Sequence, residues 1–172
     1  MLAFLSGTAM NAFALSAKRI LTEGRSAVAA FPDRCTDYRS AVYRWEDALF
    51  EQHPQGHRIL TEDEACRLIR EIFIVCERPA PVLELVPGFT DPAIGGYADV
   101  ARNRILIEIG GLYAYLVLHE VAHILVPEDR QHGPAFTYVL QNLYRSYLDI
   151  PDGTVRALLE EHGLPIHTAR AN

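Results

Sequence analysis

Hydrophobic and polar residues alternate with a helical period in the first half of the chain. From about residue 36 to 52, apolar residues recur every three or four positions between charged ones, which indicates an amphipathic helix. A second helix is predicted over 62–77, because Thr61 followed by Glu64 is a capping-box pattern ahead of an apolar stripe at helical spacing. Two helices therefore precede any strand.

The period shortens after Pro79 and Pro81. VLELV at 82–86, the glycine-rich stretch 95–97 and RILIEI at 104–109 are short, and turn-forming residues bound them. Such segments are typical of strands. We expect them to form a small antiparallel sheet.

A longer apolar segment follows the predicted strands. LYAYLVLHEVAHILV, residues 112–126, is too long for a typical strand and stops at Pro127, so it predicts a buried helix. Gly133-Pro134 begins a further amphipathic helix, and a short one is predicted near 153–161. The order of helix, helix, small sheet, central helix and helices predicts an α+β fold.

At 172 residues the chain has the length of one domain. We expect a domain over 31–172, preceded by an appendage or terminal helix over 1–30. Residues 1–17 are apolar and uncharged, and the first basic residue, Lys18, follows them, which is the wrong order for a secretory signal. The alternative is a role of 1–17 in export or membrane association.

Composition narrows the range of partners. A formal net charge of −6 and the absence of any basic run argue against nucleic-acid binding, and no membrane partner is expected. The three cysteines include no C-x-x-C pair, so neither a disulfide framework nor a zinc ribbon is indicated. Reduced thiols in a cytoplasmic protein are the expectation.

The residues that point to chemistry are His119, Glu120 and His123, an H-E-x-x-H within the predicted buried helix. Four residues advance a helix by little more than one turn, so both imidazoles project from one face and can share a zinc ion. Glu120 then lies beside the open position of the metal, where a carboxylate can take a proton from water and return it to a leaving group. The alternative is a pair of core histidines bonded to backbone carbonyls, with Glu120 in solvent.

A catalytic zinc takes three protein ligands and keeps one position open. His132 is the best third ligand, because it stands immediately before the rigid helix start at Gly133-Pro134. Asp129 is the main rival, since metzincins place their third ligand six residues after the second histidine. That family also requires a glycine where this chain has Val126, so its pattern fails here.

The stretch HEVAHILVPEDRQHGPAF resembles the active-site signature of SprT-like zincin metallopeptidases, with H-E-x-x-H followed by H-G-P-x-F. The resemblance implies a zincin-like domain, in which a small antiparallel sheet packs on the active-site helix between flanking helices, and it implies that His132 is the third zinc ligand. The longer pattern, including TDYRSAVYRWEDALFE near residue 40, is also similar to small bacterial H-E-x-x-H metallohydrolases whose substrates are unassigned.

One departure from the SprT-like pattern limits what it implies. Members that act at DNA carry zinc-ribbon or basic segments, whereas this chain has an acidic balance and no cysteine after Cys76. Repair of DNA-bound proteins is therefore not expected.

Further site residues follow from the family comparison. In zincins an edge strand ahead of the active-site helix pairs with an extended peptide, and 104–109 is placed either for this role or as a plain structural strand. Tyr97 or Arg130 is a candidate for stabilising an oxyanion, although a packing or surface role is the simpler interpretation for each. The remaining histidines are expected at the surface: His53, His57, His162 and His167.

The leading hypothesis is a zinc-dependent metallopeptidase that cleaves peptide bonds in a peptide or protein substrate, with Glu120 as general base and then general acid. Two alternatives stay open. One is a non-catalytic interaction module braced by zinc, which the presence of Glu120 disfavours, because a structural tetrahedral site needs no base. The other is a zinc hydrolase of a non-peptide amide.

Overall fold

The first helix buries the apolar stripe that its sequence pattern predicts. The computed structural model describes residues 38–126 and 131–166; within them, helix α1 spans Arg39–Gln52 and a 3₁₀ turn at Pro54–His57 follows it. The predicted appendage over 1–30 lies outside the described residues. The core-facing side of α1 consists of Val42, Trp45, Glu46, Leu49 and Phe50.

Helix α2, Glu62–Val75, begins at the predicted capping box. The backbone N–H of Glu64 donates to Oγ1 of Thr61 at 3.2 Å, and the backbone N–H of Thr61 donates to Oε2 of Glu64 at 2.8 Å. Two backbone donors that a helix start leaves without partners are thereby satisfied. The predicted N-terminal end of this helix is confirmed.

All three predicted strands form, but their sheet is mixed rather than antiparallel. Strands β1 (Val82–Val86), β2 (Gly96–Asp99) and β3 (Arg104–Glu108) are ordered β1-β3-β2, with β1 parallel and β2 antiparallel to β3. The connection 87–103 is long enough to return the chain to the end of the sheet where β1 starts, which a parallel pair requires. The antiparallel prediction was therefore wrong for β1 and β3.

The segment RILIEI is not an edge strand, which was one of its two predicted roles. Its residues 104–108 form β3, the central strand, where Ile105 and Ile107 are fully buried. Both sides of β3 are engaged by neighbouring strands, so a peptide cannot pair with it. The edge strand nearest the H-E-x-x-H helix is β2 instead.

The central helix α3 spans Ala114–Leu125 and is followed by α4, Pro134–Tyr147, and α5, Asp152–Glu161. Helix α3 begins two residues later than predicted, because Leu112 and Ala114 bond to the extended segment 58–60. The N–H of Leu60 donates to the carbonyl of Leu112 at 2.8 Å, and the N–H of Ala114 donates to that of Arg58 at 2.9 Å.

Five helices and a three-stranded mixed sheet confirm the α+β class for the described residues. The largest fully buried side chains come from three helices, α1, α2 and α4, and include Trp45, Phe73, Phe136 and Tyr144. In the described part of the chain, every helix is too short or too polar to cross a membrane.

The capping box gives a test of the fold. Replacing Thr61 with Ala removes the side chain that accepts from the Glu64 N–H, so we expect the free energy of unfolding to fall by about 1 kcal/mol. Thr61→Ser keeps the hydroxyl and is the matched control. Equal urea midpoints for the Ala and Ser variants would contradict the role assigned to the cap.

Candidate metal centre

Helix α3 presents its two histidines toward one point, as the spacing predicts. Nε2 of His119 and Nε2 of His123 are 3.2 Å apart, and their rings meet edge to face. His119 and Glu120 are buried, while His123 is partly exposed. The reading in which Glu120 points to solvent is therefore wrong.

His132 reaches the same point from the start of α4. The ligand-capable atoms of His119, His123 and His132 all lie within 4.8 Å of one another. His132 has a left-handed backbone, with φ of +53°, immediately before Gly133 at the N-cap and Pro134 at the first helical position. Such a backbone costs a non-glycine residue about 1–2 kcal/mol. The rival ligand Asp129 lies outside the described residues.

Glu46, on helix α1, fixes the orientation of His119. Nδ1 of His119 donates to Oε1 of Glu46 at 2.8 Å, and the hydroxyl of Tyr144 donates to the same oxygen. All three side chains are buried. Because the carboxylate only accepts, it holds the His119 proton on Nδ1 and leaves Nε2 as a lone-pair donor.

Gln131 holds His123 in the corresponding orientation. Its side-chain oxygen accepts from Nδ1 of His123, while its amide nitrogen donates to the carbonyls of His123 at 3.2 Å and Val126 at 3.4 Å. The residue that precedes His132 thus ties the third histidine to the end of α3.

The spacing of the histidine nitrogens is compatible with a bound metal ion. With both Nδ1 atoms engaged, the two Nε2 atoms are the nitrogens that remain for other partners, and at 3.2 Å apart they can share either a proton or a metal ion. Tetrahedral zinc with bonds of 2.0–2.1 Å places its nitrogen ligands about 3.3 Å apart. The three histidines can therefore hold a metal ion.

Two aromatic rings enclose the histidine cluster. Phe136, fully buried, lies 5.2 Å, 4.4 Å and 4.8 Å from the ring centres of the three histidines in chain order. Tyr43 stacks on His119 at 5.8 Å and meets His132 edge to face at 5.6 Å, and it is 47% exposed. Phe136 is the last residue of the H-G-P-A-F motif, and its place beneath the cluster gives that position a packing role.

Glu120 lies between α3 and the edge strand β2. A Cβ on Gly96 would lie 2.9 Å from Oε1 and 3.0 Å from Cγ of Glu120, so the carboxylate occupies space that only glycine leaves open. The backbone of Ala98 lies near this carboxylate and lowers its pKa. Burial raises the pKa of Glu120 to about 7, and the charge of Glu46 adds to this effect, although His119 and Ala98 oppose it.

The histidines differ in their affinity for protons. Burial, together with the charge of His119, lowers the pKa of His123 to about 3. Burial acts in the same direction on His119, but the charge and the hydrogen bond of Glu46 outweigh it and raise that pKa. His123 is therefore neutral near pH 7, as a metal ligand must be.

Of the other candidate residues that the structure describes, Tyr97 lines a cleft beside the histidine cluster, whereas the remaining histidines lie elsewhere. A cleft of about 840 Å³ in front of the cluster is lined by Tyr97 together with the histidines and Glu120. Arg130 and His167 lie outside the described residues. His53 contacts Gln55, His57 packs on aromatic rings, and neither these nor His162 joins the cluster.

No protein-family model matches the chain, and no curated protein or solved structure is significantly similar to it.

Sequence reasoning missed Glu46, Tyr144 and Gln131. Glu46 did carry a signal, because it occupies a position in the apolar stripe of α1, beside Val42 and Leu49, where a charged residue is unexpected. Tyr144 and Gln131 carried none, since a buried tyrosine and a polar loop residue are both ordinary.

The strained backbone at His132 gives a test that separates ligand from fold. We expect His132→Ala and His132→Gly to lose zinc affinity alike, because both lack the imidazole. In metal-free protein, the glycine variant should be more stable than the alanine variant by about 1 kcal/mol, because glycine adopts positive φ without strain. Zinc titration calorimetry and urea unfolding measure the two effects, with His162→Ala as control. Unchanged zinc affinity in both variants would remove His132 from the site.

Glu46 gives a second test. Glu46→Gln preserves size but removes the charge that holds the His119 proton, so we expect zinc affinity to fall about 10- to 100-fold. Tyr144→Phe keeps the carboxylate and its bond to His119 and should cause a smaller loss. A Glu46→Gln protein that binds zinc as tightly as wild type would contradict the orienting role.

Proposed function

We propose that this protein is a zinc-dependent hydrolase, specifically a metallopeptidase, in which His119, His123 and His132 hold the zinc. The observation that carries the proposal is the convergence of three imidazoles beside the buried carboxylate of Glu120, at the base of an open cleft. The motifs H-E-x-x-H and H-G-P-A-F support kinship with SprT-like zincins, and the free thiols of Cys66 and Cys76 suit the cytoplasm.

The ligand set favours an open, catalytic site over a structural brace. Within residues 38–126 and 131–166, no fourth histidine, cysteine or carboxylate joins the three histidines. Structural zinc sites are closed by four protein ligands, whereas catalytic sites keep one position for water or substrate. When bound, zinc supplies a Lewis acid that lowers the pKa of water toward 7 and polarises a carbonyl group.

Glu120 is the proton carrier in this proposal. As general base, its carboxylate removes a proton from the attacking water while the new carbon–oxygen bond forms; as general acid, it gives that proton to the leaving nitrogen as the carbon–nitrogen bond breaks. Gly96 leaves room for this carboxylate beside β2.

The outer edge of β2, which no strand of the described residues pairs with, supports a peptide as the substrate. The N–H of Glu108 donates to the carbonyl of Gly95 at 3.1 Å, so Gly95 and every second residue after it face β3. Gly96 and Ala98 consequently direct their backbone groups away from β3, on the side of the cleft. An extended peptide binds to such an edge by main-chain hydrogen bonds.

The proposal is tested by Glu120→Gln. This variant keeps the size of the side chain but cannot accept a proton, so we expect hydrolysis of a mixed peptide library to fall about 10²- to 10⁴-fold while bound zinc stays at the wild-type level. A chelator should abolish wild-type activity, and added zinc should restore it. Cleavage products are identified by mass spectrometry, and zinc by elemental analysis.

The matched control is Glu51→Gln, an exposed glutamate on α1. It should leave both zinc content and hydrolysis unchanged. Undiminished hydrolysis in Glu120→Gln, or purified wild type that binds no zinc, would refute the proposal.

A further inference from the structure

The cleft in front of the histidine cluster gathers exposed apolar side chains. In the described part of the chain, seven large apolar side chains are exposed, and three of them line this one cleft: Tyr43, Ile94 and Tyr97. Single exposed apolar residues are ordinary on protein surfaces, but several around one concave site are typical of a ligand-binding surface.

These side chains come from two parts of the chain that both line the cleft. Tyr43 comes from α1, whereas Ile94 and Tyr97 come from the segment that leads into β2 and from β2 itself. Tyr43 contacts both His119 and His132, so its ring lies immediately beside the candidate metal position. A substrate that enters the cleft with its backbone along β2 would therefore direct a side chain toward Tyr43 next to the bond to be cleaved.

Basic and acidic side chains also line the cleft: Arg39, Glu46, Asp47, Asp99, Arg102 and Glu120. Several of them are bonded to other residues. Asp99 forms ion pairs with Arg102 and Arg104, each at 3.0 Å. Arg39 and Asp47 are opposite in sign and lie one turn before and one turn after Tyr43 on the same face of α1. Arg39 and Asp47 therefore place one charge of each sign on either side of Tyr43, and a charged substrate side chain would lose hydration against this ring for little gain.

We infer that the cleft selects peptides with a large apolar side chain, aliphatic or aromatic, next to the scissile bond, and that Tyr43 is a specificity-determining residue for it. The inference rests on the proposed metallopeptidase function. An apolar side chain gains by covering the exposed ring of Tyr43, and an aromatic one also gains from ring-to-ring contact.

Binding rather than turnover gives the sharper test. The probes are peptidyl hydroxamates that differ only in the side chain next to the chelating group: leucine, phenylalanine, alanine, aspartate or lysine. With zinc-loaded full-length protein, we expect the leucine and phenylalanine probes to bind at least about tenfold more tightly than the aspartate and lysine probes in titration calorimetry. Equal or tighter binding of a charged probe would overturn the inference but leave the proposed function standing.

Two variants at one position isolate the aromatic surface. Tyr43→Ala should weaken the leucine and phenylalanine probes about five- to tenfold and leave the aspartate and lysine probes unchanged, whereas Tyr43→Phe should keep the wild-type order. Zinc affinity is measured for each variant, so that a weakened metal site is recognised by an equal loss for all probes, which would count against a role in selection.

Ile74→Ala is the matched control, because Ile74 is 75% exposed and does not line the cleft. It should leave every probe affinity unchanged. If no hydroxamate binds zinc-loaded wild type and no library peptide is cleaved, the proposed function fails and this inference fails with it.

Discussion

The hydrogen bond from His119 to Glu46 connects the parts of the molecule on which the site depends. It joins α3 to α1, and through the shared carboxylate oxygen it also joins α4, which contributes Tyr144. A buried carboxylate is costly unless its oxygen atoms are bonded, so the three helices are held in one arrangement by a polar group that has no alternative partner in solvent. The same bond sets the tautomer of His119 and directs its Nε2 toward His123. The same buried hydrogen bond therefore both holds the helices together and orients His119 for a metal ion.

The opposite side of α3 is fixed by a backbone rather than by a side chain. Gly96 allows β2 to approach the helix closely, and the approach brings Glu120 against the strand. The helix that carries H-E-x-x-H thus lies between a carboxylate on one side and a strand edge on the other. Each of its functional residues is held by a different neighbour: His119 by Glu46, Glu120 by β2 and His123 by Gln131.

Local patterns predicted the elements, because each depends on residues close in sequence. The capping box at Thr61, the Gly133-Pro134 helix start and the period of the apolar stripes all gave the right element at the right place. Strand order was not predictable in this way, because the parallel pairing of β1 with β3 is decided by packing across the sheet and leaves no mark within either strand. The approach of His132 to His119 and His123 was predicted from the spacing of the two motifs. The contact of Glu46 with His119 was not, because the two residues are 73 positions apart. Only the polar character of Glu46 within an apolar stripe marked it.

The position of Glu120 against β2 also bears on how this edge strand is protected from pairing with other chains. An unpaired edge strand next to an apolar helix is a template for pairing with another chain, and proteins often protect such edges by placing a charged group where a foreign strand would dock. Here the carboxylate that the proposed chemistry requires packs closely against the strand at Gly96. The strand remains short, at Gly96–Asp99, and salt bridges to Asp99 close its far end. So short an edge offers few backbone groups for a continuous sheet between two copies of the chain.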